Sequence, residues 1–198
     1  MYIQKLFLKS VVYNYEGGKV VDEITAEMIE IDNAGEIIDE IMDKYGQEIL
    51  QLAFSYVKNK QIAEDLTQEI FVKCYKSLHT FSGKSMFRTW LWRIASNHCK
   101  DYLKSWYNKN VFTTDYQPIY ESSQYDSVEE IVIQDEADGE LVAAVMELPV
   151  EYREVIYLFY FEDLTIKEIS SITEIKENTV KTRLKRAKEL LKERLEAI

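Results

Sequence analysis

Glycine and proline are scarce in this chain, six and two among 198 residues. Loop-rich and all-β folds draw on both for their turns, so the shortage points to helices. Only two cysteines, Cys74 and Cys99, and two histidines, His79 and His98, are present. Their spacing fits no common zinc pattern, and cysteines used this sparingly suit a reducing compartment. Cys74 and His98 also fall on apolar helical stripes, which places them in a core. A glycine-rich phosphate loop is missing, as is any motif that joins a nucleophile to a base and an orienting acid. No catalytic residue, metal or cofactor is therefore expected. No apolar run reaches the length of a membrane span, and Met1–Ser10 lacks the build of a signal peptide. The expectation is a cytoplasmic protein without direct membrane insertion.

Cations are missing from one long stretch. Between Lys109 and Arg153 there is no basic residue, while eleven carboxylates run from Asp115 to Glu151. The formal net charge of −11 equals the charge of segment 111–151 alone. An acidic total argues against nucleic acid, because phosphates need cations. The remainder of the chain is nearly balanced, however, and segment 177–198 carries +3. The asymmetry is more informative than the total.

What is present divides the chain into four segments. In residues 1–35, Val11-Val12 and Val20-Val21 lie either side of Gly17-Gly18, a pattern that predicts a β-hairpin extension. From Glu36 the apolar period becomes helical. Ile37, Ile41, Tyr45, Ile49, Leu52 and Tyr56 share one face of a first helix. Ile62, Leu66, Ile70, Cys74 and Leu78 share one face of a second. A third, from about Ser85, carries Phe87, Leu91, Ile94, His98 and Tyr102. Residues 36–107 thus predict a small helical bundle. Residues 108–137, with Pro118 and much of the acidic run, predict a flexible linker. Residues 138–198 predict a second helical domain, with helices over Asp138–Glu147, Val150–Phe161, 165–172 and 177–195. The fold class expected is all-α, two small helical domains joined by an acidic linker.

The strongest local signal lies near the C-terminus. Thr165 can cap a helix, and Glu168 three residues on completes a capping box. Ile166, Ile169 and Ile172 supply that helix's buried side. After a turn near Thr173–Lys176, a second helix buries Val180, Leu184 and Ala187. Its exposed faces carry Lys181, Thr182, Arg183, Lys185, Arg186 and Lys188. A capped short helix, a tight turn and a basic helix make a helix-turn-helix, whose second helix enters the major groove. A solvated cationic face on an ordinary helix is the plainer alternative, which the capped helix and turn disfavour.

Two longer motifs carry a resemblance. Ala63-Glu-Asp-Leu-Thr-Gln-Glu-Ile-Phe, followed by Phe87-Arg-Thr-Trp-Leu-Trp-Arg-Ile-Ala-Ser-Asn-His-Cys-Lys, is similar to region 2 of bacterial extracytoplasmic-function (ECF, group IV) sigma factors. Leu148-Pro-Val-Glu-Tyr-Arg-Glu-Val-Ile with the helix-turn-helix resembles their region 4. The resemblance implies an alternative sigma factor that binds core RNA polymerase and directs initiation at −10 and −35 promoter elements. By the same resemblance Asp65, Gln68 and Glu69 would dock on the β′ clamp helices, and region 4 on the β flap. Arg88, Trp90, Trp92, Arg93, Asn97, Lys100 and Lys104 would engage the −10 element, Asn97 reading it and the cations holding phosphates. Aromatic faces within a cationic groove suit single-stranded DNA. Trp90 is divided between core and DNA on this reading, and Trp92 is expected to be exposed. Lys181, Thr182, Arg183, Lys185 and Arg186 would read the −35 duplex. The resemblance also implies an anti-sigma factor as partner, in many relatives membrane-bound. The acidic linker is either a phosphate mimic within polymerase channels or a solubilising tether. A simple helix-turn-helix repressor and an acidic protein-binding regulator are the rival readings; neither needs the Phe87–Leu103 motif.

Overall fold

The computed structural model describes residues 24–26, 29, 34–111 and 136–196. The predicted hairpin and nearly all of the linker lie outside the described residues. Among the described residues there are seven α-helices and one 3₁₀ turn, with no strand.

The N-terminal domain is three helices. Helix α1, Ala34–Val57, turns its apolar stripe inward, so that Ile41, Ile49 and Leu52 have no exposure at all. Burial of each such side chain contributes roughly 1.5–3 kcal/mol. Lys58, at φ 55°, reverses the chain in a left-handed turn. Asn59 then caps α2, Lys60–Ser77, its side-chain oxygen accepting from Ile62 N at 3.0 Å. That bond satisfies one of the free amides of a helix N-terminus. Leu66, Ile70, Phe71 and Cys74 form the buried side of α2. A 3₁₀ turn, Leu78–Thr80, ends it. Gly83 sits at φ +68° in the following loop, a conformation that favours glycine. Ala26 lies beside Gly83, and Ile24, only 2% exposed, joins the core, so the end of the N-terminal extension packs on this domain. Helix α3, Phe87–Val111, completes the bundle.

The C-terminal domain is α4 (Glu136–Glu147), α5 (Val150–Tyr160), α6 (Ile166–Thr173) and α7 (Glu177–Leu195). Pro149 is the N-cap of α5, where its missing N–H leaves no bond unmade. The predicted capping box is present: Thr165 Oγ1 accepts from Glu168 N at 3.3 Å, and Thr165 N donates to Glu168 Oε2 at 2.8 Å. Glu174, at φ 60°, stops α6 in a left-handed cap, and Lys176 starts α7. Val155, Leu158, Ile169, Ile172, Val180, Leu184, Ala187 and Leu191 pack as one core.

The two domains touch. Helix α5 lies against α1, and α6 lies against α3.

Candidate nucleic-acid interface

Helix α7 presents the arrangement its sequence predicts. Val180, Leu184 and Ala187 are buried, while Lys181, Thr182, Lys185 and Arg186 are exposed and Arg183 is half-buried. The Thr182 hydroxyl donates to Asn178 O at 2.9 Å, which occupies its proton but leaves its lone pairs outward. Arg186 pairs with Glu189 at 3.1 Å across one turn, an exposed contact that a competing phosphate can displace at little cost. Lys188 lies over the Tyr160 ring at 5.4 Å. A capped helix, a left-handed stop and a cationic helix mounted on a shared apolar core hold α7 rigidly with its polar face outward. Such a face can enter a major groove, with phosphates on the flanking cations.

Helix α3 departs from expectation. Trp92 is fully buried rather than exposed, and Trp90 is buried at 6% exposure. Trp90 packs with Phe81 and Phe87 at centroid distances of 5.5 and 5.4 Å, and Trp92 meets Tyr45 edge-on at 5.7 Å. The reason is a second buried face. Arg88, Trp92, Ser96 and Lys100 recur every four residues and so share one stripe of α3. The ends of that stripe pair with the C-terminal domain: Arg88 with Glu162, and Lys100 with Glu154 at 2.7 Å. Arg88 also lies over the Trp92 ring at 4.9 Å. Of the remaining residues expected at this surface, Arg93 and Lys104 are exposed and Asn97 is half-buried. Trp106 and Tyr107 near the end of α3 are exposed and in edge-to-face contact at 5.6 Å.

Asp65, Gln68 and Glu69 are exposed together on the outer face of α2, with Val72 and Tyr75 beside them along the helix. Glu69 Oε2 contacts His98 Nε2 at 2.7 Å, which ties this face to α3. Among the described residues no cluster of His, Cys, Asp and Glu could hold a metal ion, and no helix is long and apolar enough to cross a membrane.

Comparison with known proteins agrees with this division. The family model for sigma-70 region 2 matches residues 41–107, and that for sigma-70 region 4 matches residues 138–191. The ECF RNA polymerase sigma factor SigW of Bacillus subtilis is 33% identical over 79% of this chain and 87% of its own length. SigM of the same organism is 34% identical, over 78% of this chain and 93% of its own. This chain belongs to the ECF sigma factors. It is thus an alternative sigma factor, which directs promoter-specific transcription. The fold is shared with the sigma factor RpoE solved with the anti-sigma factor NepR from Bartonella quintana, at a TM-score of 0.64 and 20% identity over 81% of this chain and 98% of that one. CnrH, solved with the cytosolic domain of CnrY, gives 0.59 at 18% identity over 100% and 99%.

In this sigma factor the contact between the domains uses residues that sequence reasoning did not single out. Arg153, 4% exposed, spends its guanidinium on four carbonyls. Nη1 donates to Met146 O at 2.6 Å and Leu148 O at 2.9 Å, Nη2 to Tyr56 O at 3.1 Å, and Nε to Ser55 O. Two of those carbonyls end α1, where the helix dipole is negative and a cation is favoured. Tyr56, expected as an apolar stripe residue, donates its hydroxyl to Glu154 Oε1 at 2.6 Å. Glu162 is pushed above the ordinary carboxylate range, chiefly by burial, against which Arg88 pulls it down. Glu48 on α1 is raised too, by burial and then by the charge of Glu162. The available signal was a charged pair, Arg153-Glu154, directly before the apolar run Val155-Ile156-Tyr157-Leu158: charges on a helix this apolar are buried with partners or not at all.

Proposed function

We propose that this sigma factor binds core RNA polymerase through the exposed face of α2, using Asp65, Gln68 and Glu69 with Val72 and Tyr75 beside them, and through its region 4 on the β flap. The −35 element is read as duplex by α7, with Lys181, Thr182, Arg183, Lys185 and Arg186 in the groove or on its phosphates. The −10 element is engaged by α3, where Arg88, Arg93, Lys100 and Lys104 hold the strand and Asn97 reads it. Trp90 and Trp92 act as the packed floor of this surface, the role their burial supports. The exposed Trp106 and Tyr107 are the aromatic faces on which bases can stack. The acidic linker, residues 108–137, threads the cationic channels of the polymerase as a phosphate mimic. The protein works in the cytoplasm without a catalytic centre of its own, and it has an anti-sigma factor as partner, as RpoE is solved in complex with the anti-sigma factor NepR.

The observation that carries this reading is the exposed cationic face of α7 mounted on a capped helix-turn-helix, in one chain with the region 2 motif on α2 and α3. The test is run-off transcription by purified core polymerase, with and without the protein, on genomic fragments that include its own upstream region. Discrete transcripts that require the protein, with start sites spaced from common −10 and −35 sequences, are expected. Absence of any binding to core polymerase would overturn the reading.

A further inference from the structure

One residue of the face assigned to the polymerase is held before any partner arrives. Glu69 is 63% exposed, yet its Oε2 lies 2.7 Å from Nε2 of His98, whose side chain is only 11% exposed. The two stand on different helices, Glu69 on α2 and His98 on α3. A glutamate on an outer helix face samples many rotamers, and fixing one of them on binding costs entropy. The contact with His98 fixes the rotamer in advance.

The ring can serve as a post because it is itself held. His98 lies on the apolar stripe of α3 with Leu91, Ile94 and Tyr102, next to the fully buried Cys99. Its Nδ1 is buried and has no hydrogen-bond partner among the described residues. A buried lone pair left unpaired costs less than a buried N–H left unpaired, so the proton sits on Nε2 and is donated to Glu69. An apolar side chain at this position carries no unpaired nitrogen at all. Packing alone therefore does not account for a histidine here, and the bond to Glu69 does.

The bond leaves Glu69 able to dock. A carboxylate has about four lone-pair sites, and the ring takes one. The others remain for a guanidinium or ammonium group of the partner, which meets the carboxylate at a set angle. Val72 and Tyr75, 52% and 49% exposed, continue the same outer face as apolar ground. A charge oriented in advance beside exposed apolar groups lowers the ordering cost of association.

We infer that His98 is a positioning residue for polymerase docking, holding the Glu69 carboxylate in the orientation in which a cation of the polymerase takes it. The inference rests on the assignment of Glu69 to the polymerase contact made above.

The experiment is a double-mutant cycle on the full-length protein, labelled at its N-terminus and titrated with purified core polymerase. His98→Leu keeps much of the ring's bulk but has no donor, and His98→Gln returns an amide donor at about the reach of Nε2. Glu69→Ala removes the carboxylate. His98→Leu should weaken core binding about fivefold, the ordering cost of one long side chain, and His98→Gln should recover most of the loss. With Glu69→Ala already in place, His98→Leu should bring no further loss. The urea midpoint of His98→Leu should not fall, because leucine suits the apolar stripe. Unchanged core affinity of His98→Leu, while Glu69→Ala weakens binding, overturns the positioning role and leaves the docking face standing. An equal loss from His98→Leu with and without Glu69 overturns it as well, since the ring then acts on the fold. No effect of Glu69→Ala overturns the docking assignment itself, and the inference with it.

Discussion

Both ends of Tyr56 are taken by adjacent residues of the other domain: its carbonyl accepts from Arg153 Nη2 at 3.1 Å, and its hydroxyl donates to Glu154 Oε1 at 2.6 Å. The C-terminus of α1 is thereby bolted to the N-terminal turns of α5. Arg153→Met fills a similar volume but leaves buried carbonyls at Ser55, Tyr56, Met146 and Leu148 without their donor. Hydrogen bonds to a charged group contribute roughly 1.5–3 kcal/mol each, and partial rehydration recovers some of that. A loss of about 3 kcal/mol in urea unfolding is expected. Arg153→Lys keeps the charge but cannot fork to four acceptors, so it should lose most of the same stability. A loss under 1 kcal/mol for Arg153→Met would mean that the carbonyls are readily resolvated.

The two thiols should be silent. Burial pushes the Cys74 and Cys99 thiols up to about 12, and Cys99 also feels the charge of Glu154 across the domain contact. Thiolate is the reactive form, so neither residue should react with a disulfide reagent in the folded protein at neutral pH. Cys99 lies on the α3 side of the contact and Cys74 within the bundle. Glu154→Gln with Glu162→Gln should therefore speed labelling at Cys99 and leave Cys74 slow, as read by mass spectrometry after timed quenching.

The helical skeleton was legible in the sequence because the apolar residues recur at the helical period and two helices carry a start signal. Pro149 and Thr165 mark those beginnings, and the apolar stripe of α1 is buried from Ile37 to Tyr56. The helix-turn-helix was legible for the same reason. Trp92 was not. A period read along one helix identifies a single face, here Phe87, Leu91, Ile94, His98 and Tyr102, of which Phe87 and Leu91 are fully buried and the other three partly buried. The stripe Arg88, Trp92, Ser96, Lys100 looks like a solvent face with one tryptophan on it, and what buries it is supplied by Glu154 and Glu162, more than fifty residues further along the chain. Charge pairing over such a separation leaves no periodic trace. Asp65, Gln68 and Glu69 came from the resemblance, since three exposed polar residues on a helix have no pattern of their own.

The capping box should set the stability of the helix-turn-helix by a modest, measurable amount. Thr165→Ala removes the side chain that accepts from Glu168 N and donates to Glu168 Oε2. A lost cap costs about 1 kcal/mol. Amide exchange should rise in α6 with α1 and α2 unaffected, and Thr165→Ser should restore protection.

Salt dependence separates groove readers from phosphate holders on α7. Lys181→Ala or Lys185→Ala, at exposed positions, should each lower the slope of log affinity against log salt by about one on the −35 duplex. A substitution that relaxes sequence preference at one base pair without that change of slope marks a base contact instead. Thr182→Ala, whose hydroxyl proton is already spent on Asn178 O, is expected in that second class.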